Sequence, residues 1–133
     1  MPTQISYGRA VPSDMNFPRA VARVRELLKN EGFGILCEID VAKTLKDKIG
    51  AEFRPYVILG ACNPNLAHRA LEAEEQLGLL LPCNVVVQEI GGKTVISAVD
   101  ASKMLEVVGN SALHEIAVDA NSRLQRVLDN MKP

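Results

Sequence analysis

Residues 83–90 and 93–100 form two apolar runs, CNVVVQEI and KTVISAVD, which are separated by Gly91 and Gly92. Alternating or apolar runs that are rich in β-branched side chains are typical of strands. A Gly-Gly pair adopts the positive backbone angles of a tight hairpin without the steric cost that other residues meet. The sequence therefore predicts an antiparallel β-hairpin at this point.

Three further strands are predicted upstream of the hairpin. Residues 4–11 alternate weakly, whereas the segment FGILCEIDV at 33–41 alternates clearly, and its phase places Cys37 on the buried face. The run YVILGAC at 56–62 is apolar on both faces. Such a run is typical of an interior strand that is covered on both sides.

Local signals mark where five helices begin. An Asn or Asp side chain can accept a hydrogen bond from a free N–H group in the first turn, and proline suits the first helical position because it has no N–H. The predicted caps are Asn16 ahead of Pro18, Asp40, Asn63 ahead of Pro64, and Asp100. The helix after Asn63 is expected to run to about Glu75. A fifth helix is expected to run unbroken from Ser111 to Met131, a length of about 30 Å.

These elements predict one α+β domain over residues 1–133. A two-layer sandwich accommodates their order, with a mostly antiparallel or mixed sheet of five strands and helices mainly on one face. The strand at 56–62 and the Val85–Val87 run offer apolar side chains to both faces of this sheet. Because an uncovered apolar face is costly in water, we expect a homodimer.

Composition excludes several classes of partner. The chain has 15 basic and 16 acidic residues and only 4% aromatic residues, so it lacks both the positive field and the stacking platforms that nucleic acid binding requires. No apolar run is long enough to span a membrane, and no export signal is recognisable. We expect a cytoplasmic protein in which Cys37, Cys62 and Cys83 are free thiols, and no cofactor is predicted.

The stretch from Cys62-Asn63-Pro64 to Pro82-Cys83-Asn84 carries the candidate chemistry, and it leaves two alternatives open. In the first, the positive end of the helix dipole lowers the pKa of Cys62, and the protein is a thiol-dependent enzyme or a sulfur or redox carrier that uses Cys62 with Cys83. His68 would be the base, although helical geometry places it away from the packed stripe of its helix. No pair of ligands has the C-x-x-C spacing of a zinc site, so no metal is predicted.

The second alternative, which we favour, is a non-catalytic module that binds a small ligand or a protein partner. The helix that begins at Pro64 has free N–H groups, and these groups can bind a small anion. The two cysteines are then small, mildly apolar residues at the ends of elements. The candidate binding residues are Asn63, Asn65, His68 and Asn84.

Three segments of the chain, GFGILCEIDV, PYVILGACNPNLAHRALEAEE and LGLLLPCNVVVQE, resemble the small bacterial and archaeal family known as domain of unknown function 302. The resemblance extends from about Tyr7 to Met131 and is most specific in GACNP and LLLPCNVVV. It implies a compact α+β domain that is usually dimeric. It implies no reaction, cofactor or catalytic residue.

Overall fold

An antiparallel sheet of six strands organises the chain, and the computed structural model describes residues 3–131 of it. The strands are β1 (Thr3–Ile5), β2 (Gly8–Ser13), β3 (Gly34–Asp40), β4 (Tyr56–Cys62), β5 (Cys83–Ile90) and β6 (Lys93–Val99). The helices are α1 (Phe17–Asn30), α2 (Val41–Ile49), α3 (Pro64–Ala73), α4 (Ala101–Glu106) and α5 (His114–Asp129), with 3-10 helices at Glu75–Leu80 and Ser111–Leu113.

The order of the strands in the sheet is β1-β2-β6-β5-β4-β3, and every neighbouring pair is antiparallel. The predicted α+β class is confirmed. The strand predicted at 4–11 is divided by a turn after Ile5, so it forms both β1 and β2. The predicted hairpin is present as β5 and β6, and Gly91 and Gly92 have φ values of 56° and 79°.

The predicted helix caps are present at all four positions. Each cap side chain accepts a hydrogen bond from a backbone N–H three residues further on, at 3.0–3.2 Å. The pairs are Asn16 with Arg19, Asp40 with Lys43, Asn63 with Leu66, and Asp100 with Lys103. Because this bond needs only a short stretch of chain, it was visible in the sequence.

Two helices are shorter than predicted. Helix α3 ends at Ala73, where Nδ2 of Asn110 donates to the carbonyl oxygen of Ala73 at 2.9 Å, and Glu74 is extended. The last helix begins at His114, because the side chain of Asn110 accepts a hydrogen bond from Ala112 N and the chain passes through a 3-10 turn first. With 16 residues, α5 is about 24 Å long.

The apolar side chains form two clusters. The main core lies between the sheet and helices α1 and α5, and it includes Val24, Leu28, Leu59, Val85, Ile96 and Leu124. The second core lies between α3, α4 and α5, and it includes Leu66, Ala70, Leu77, Leu105 and Ile116. Since β4 leads directly into α3, the second core lies next to the end of β4 that carries Cys62.

The prediction that Cys37 lies in the core is wrong. The pairing of β3 with β4 shifts between Ile35, which faces Ala61, and Cys37, which faces Gly60. This bulge places one extra residue, Leu36, in β3, so every side chain after it changes face. Cys37 is consequently exposed.

Candidate functional site

Cys62 and Cys83 lie at the same end of the sheet. Strands β4 and β5 are antiparallel, and their register places Ala61 opposite Cys83 and Gly60 opposite Asn84. A parallel β5 would have separated the two cysteines by the length of a strand. The antiparallel pairing therefore places both thiols at one end of the sheet, where they can act on the same molecule.

A pocket of about 300 Å³ lies between this end of the sheet and helices α3, α4 and α5. Sheet residues, helix residues and the segment before β5 all contribute to its wall. The lining residues include Phe33, Leu36, Cys62, Asn63, Ala67, Cys83, Met104 and Ala120. The pocket lies at the lower end of the roughly 300–1,000 Å³ range of ligand pockets, so it suits a small molecule.

The wall of the pocket is apolar and carries no charged side chain among the residues that the structure describes. Asn63 contributes its one carboxamide, and this side chain is 8% exposed. Its Oδ1 accepts the hydrogen bond from Leu66 N at 3.2 Å that caps α3. The polar group at the pocket wall is thus held in place by the start of the helix.

Both thiols at the pocket are held in the protonated form. Burial raises the pKa of Cys62 above its ordinary value of 9.0. Burial, together with the nearby Cys62, raises the pKa of Cys83 to about 11. The thiol-dependent alternative requires a lowered pKa at Cys62, and the pKa is instead raised, because the cost of placing a thiolate in apolar surroundings outweighs the helix dipole.

Cys37, on β3, lies against Gly60 of the neighbouring strand β4. A Cβ atom built on Gly60 would lie 2.6 Å from Sγ of Cys37 and 2.8 Å from Cγ of Pro82. The peptide bond between Leu81 and Pro82 is cis. Glycine at position 60 therefore allows the Cys37 side chain and the Pro82 ring to lie against β4.

The remaining candidate residues lie outside the wall of this pocket. Asn65 and His68 are exposed on α3, and Nε2 of His68 is 3.0 Å from Oε1 of Glu72. Asn84 is exposed on β5. Of the four candidate binding residues, Asn63 lines the pocket and the other three do not. His68 contacts the carboxylate of Glu72 on its own helix.

Several pocket residues could not be identified from the sequence. Phe33, Leu36, Met104 and Ala120 come from three separate parts of the chain, and each looked like an ordinary core or surface residue. The bulge places Leu36 at the pocket, and a bulge has no signature in this sequence. A pocket formed where several elements meet depends on their packing, which local patterns do not encode.

Across residues 3–131, no group of three or more His, Cys, Asp or Glu side chains is arranged to hold a metal ion. Within the same range, no helix combines the length and the apolar character that crossing a bilayer requires.

The six-stranded antiparallel sheet, its helices and the apolar pocket define an α+β domain. The chain belongs to the family described as domain of unknown function DUF302, whose model matches residues 9–131. It is also similar to a solved structure, the uncharacterized conserved protein DUF302 from Bacillus stearothermophilus. The two share 33% sequence identity with a TM-score of 0.90, and the match covers 96% of this chain and 100% of that one. No curated protein matches this chain.

Proposed function

We propose that this protein is a non-catalytic, homodimeric module that binds a small uncharged molecule in the pocket beside Cys62 and Cys83. The observation that carries the proposal is the chemistry of the wall. It is apolar, its two thiols are protonated, and no lining residue within 3–131 is charged. A charged ligand would lose its hydration in such a pocket without gaining an ion partner. A neutral, largely apolar ligand incurs no such cost.

Ligand binding in the pocket is tested by a substitution whose larger side chain fills the pocket. Ala67 is a partly buried residue of α3 that lines the pocket. In Ala67→Leu the added carbons take up ligand space, and leucine suits a helix nearly as well as alanine. We expect the native protein to bind Nile red, an uncharged apolar dye, saturably in a fluorescence titration. We expect Ala67→Leu to weaken this binding about tenfold or more, because an added side chain excludes the ligand.

The matched control is Ala42→Leu, the same substitution on α2 at a partly buried position outside the pocket wall. This variant should bind the dye as the native protein does. Equal binding by the native protein and Ala67→Leu, or no saturable binding by the native protein, would contradict the proposal.

The homodimer is proposed from the face of the sheet that lies opposite the main core. Ile58, Val86 and Val95 alternate with buried core residues along β4, β5 and β6, and they are half-buried. A second copy that packs against them would remove these apolar side chains from water. We expect light scattering to give twice the mass of one chain, and Val86→Lys to give the mass of one chain. A native monomer at micromolar concentration would rule the dimer out.

The three cysteines support the proposal that the protein is located in a reducing compartment such as the cytoplasm. All three are free thiols within the described structure. Thiols persist unpaired where cellular reductants maintain them.

The alternative function is a thiol-dependent enzyme or a sulfur or redox carrier. One observation favours it, the common position of Cys62 and Cys83 at one end of β4 and β5. The raised pKa of each thiol counts against it, since the thiolate is the reactive form. The alkylation rates of the two thiols and their dependence on pH separate the two functions.

A further inference from the structure

Arg9 occupies an unusual place for a cation. It lies on β2 directly opposite Ala98 of β6, and neighbours across an antiparallel pair share a face of the sheet. Ala98 is 3% exposed and belongs to the main core. The partly buried Arg9 side chain therefore extends on the helix side of the sheet, where its Nη1 donates to Oε1 of Gln125 on α5.

One edge of the Arg9 guanidinium group has no hydrogen-bond partner in the part of the chain that the structure describes. Nε and Nη2 are buried, and neither has a hydrogen-bond partner among the residues that the structure describes. Buried polar groups are nearly always paired, and an unpaired donor of a charged group is especially costly. This edge therefore calls for an acceptor that the described chain does not supply.

Another arginine of this protein shows which kind of group binds the Nε and Nη2 edge. In Arg126, Nε and Nη2 form a fork that binds the carboxylate of Glu31, with Nε 3.0 Å from both oxygens and Nη2 2.8 Å from Oε1. The two N–H groups of this fork match the spacing of two oxygens in a carboxylate or phosphate. Arg9 presents the same fork without an oxyanion among the described residues.

A groove of about 450 Å³ lies beside Arg9. Its wall consists of Arg9, Ser102, Val118, Asn121, Ser122 and Gln125, so Arg9 is the charged member of a mainly polar lining. Ser102 Oγ accepts a hydrogen bond from Nδ2 of Asn121 at 3.1 Å, which leaves the Ser102 hydroxyl able to donate. These groups offer further hydrogen bonds to an oxyanion held by Arg9.

Asp100 is a carboxylate whose charge interacts with that of Arg9. Its pKa is lowered because hydrogen bonds from Asn121 and the α4 backbone, with the charge of Arg9 as a smaller contribution, outweigh the burial that raises it. However, Oδ1 of Asp100 already accepts from Lys103 N at 3.1 Å and from Asn121 Nδ2 at 3.0 Å. Asp100 balances part of the Arg9 charge from a distance and leaves the fork unfilled.

We propose that this groove binds a small oxyanion, a carboxylate or a phosphate, through the Nε and Nη2 edge of Arg9. The site is separate from the apolar pocket and does not depend on the function proposed for it. Because the fork is buried, a ligand reaches it only when side chains at the groove move, and Gln125, which accepts from Nη1 of Arg9, is a partly exposed member of the groove wall. Two groups of the described chain hold the Gln125 side chain. One is Nη1 of Arg9, and the other is Asp129, whose Oδ1 accepts from Nε2 of Gln125 at 2.9 Å.

The test follows the Nε–H signals of the arginines by NMR in the intact protein. Inorganic phosphate and acetate are added in separate titrations at constant ionic strength. We expect a saturable shift of the Arg9 signal in at least one titration, and the titration that saturates identifies the class of oxyanion. The Arg126 signal, whose fork is occupied by Glu31, should not follow the same curve.

Variants separate the fork from simple charge attraction. Arg9→Lys keeps the positive charge but loses the fork, and we expect it to weaken binding about tenfold or more, as followed by the backbone amide signals of Ser102 and Ser122. Arg126→Lys is the matched control and should bind as the native protein does. A native Arg9 signal that moves linearly without saturation in both titrations would overturn the proposal, whatever the stability of the variants. Equal binding by Arg9→Lys would also overturn it.

Discussion

Replacing Leu124 with alanine is expected to lower the free energy of unfolding by about 2–5 kcal/mol. Leu124 lies on α5, is 0% exposed and belongs to the main core between the sheet and the helices. Its removal loses the transfer free energy of the missing carbons and leaves a cavity that the surrounding strands cannot fully close. Since small domains are stable by roughly 5–15 kcal/mol, this one change removes a large share of the total.

Urea unfolding followed by circular dichroism measures this loss. The control is Leu79→Ala, because Leu79 is 83% exposed in the 3-10 helix after α3. That variant should change the free energy of unfolding by less than about 0.5 kcal/mol, as is usual for exposed positions. Similar losses in the two variants would mean that α5 does not pack against the sheet as described.

The second large effect concerns the reactivity of Cys83. With a pKa of about 11, roughly one Cys83 thiol in 10,000 is ionised at pH 7, which is about a hundredfold less than at the ordinary pKa of 9.0. Because the thiolate is the nucleophile, we expect iodoacetamide to modify Cys83 about a hundredfold more slowly in the folded protein than in the urea-unfolded chain. Mass spectrometry of each cysteine peptide measures the rates.

The alkylation rates of Cys62 and Cys83 are expected to depend on pH. A raised pKa keeps the thiol protonated to higher pH, so the rates at Cys62 and Cys83 should still rise tenfold per pH unit between pH 7 and 8.5. The exposed Cys37 provides an internal comparison in the same sample. A rate that is already constant above pH 7 at Cys62 or Cys83 would indicate a thiolate, and it would favour the thiol-dependent function over the binding module.

Much of the fold could be predicted because its signals are local. The caps at Asn16, Asp40, Asn63 and Asp100 each depend on a hydrogen bond to a residue three positions away. The hairpin depends on two consecutive glycines. The α+β class follows from the sum of such elements and their order.

The candidate site was predicted less completely. The sequence drew attention to Cys62, Asn63 and Cys83, and all three line the pocket. The lowered pKa of Cys62 that the thiol-dependent alternative requires is absent, because the helix dipole can be read from the residues that follow whereas the burial of the thiol cannot. The sequence placed Cys37 in the core, because a single bulge residue reversed the alternation on which that prediction depended.

The sequence by itself determined where helices α1 to α4 begin and where the hairpin of β5 and β6 turns, since a cap or a tight turn involves only neighbours along the chain. Tertiary structure alone decided that β5 runs antiparallel to β4 and brings Cys62 and Cys83 to one end of the sheet. It also decided that Arg9, an ordinary strand residue in the sequence, extends under α5 with one edge that has no hydrogen-bond partner among the described residues. Strand direction, pocket shape and burial depend on contacts between distant segments, and the free energy of those contacts is fixed only when the elements pack together.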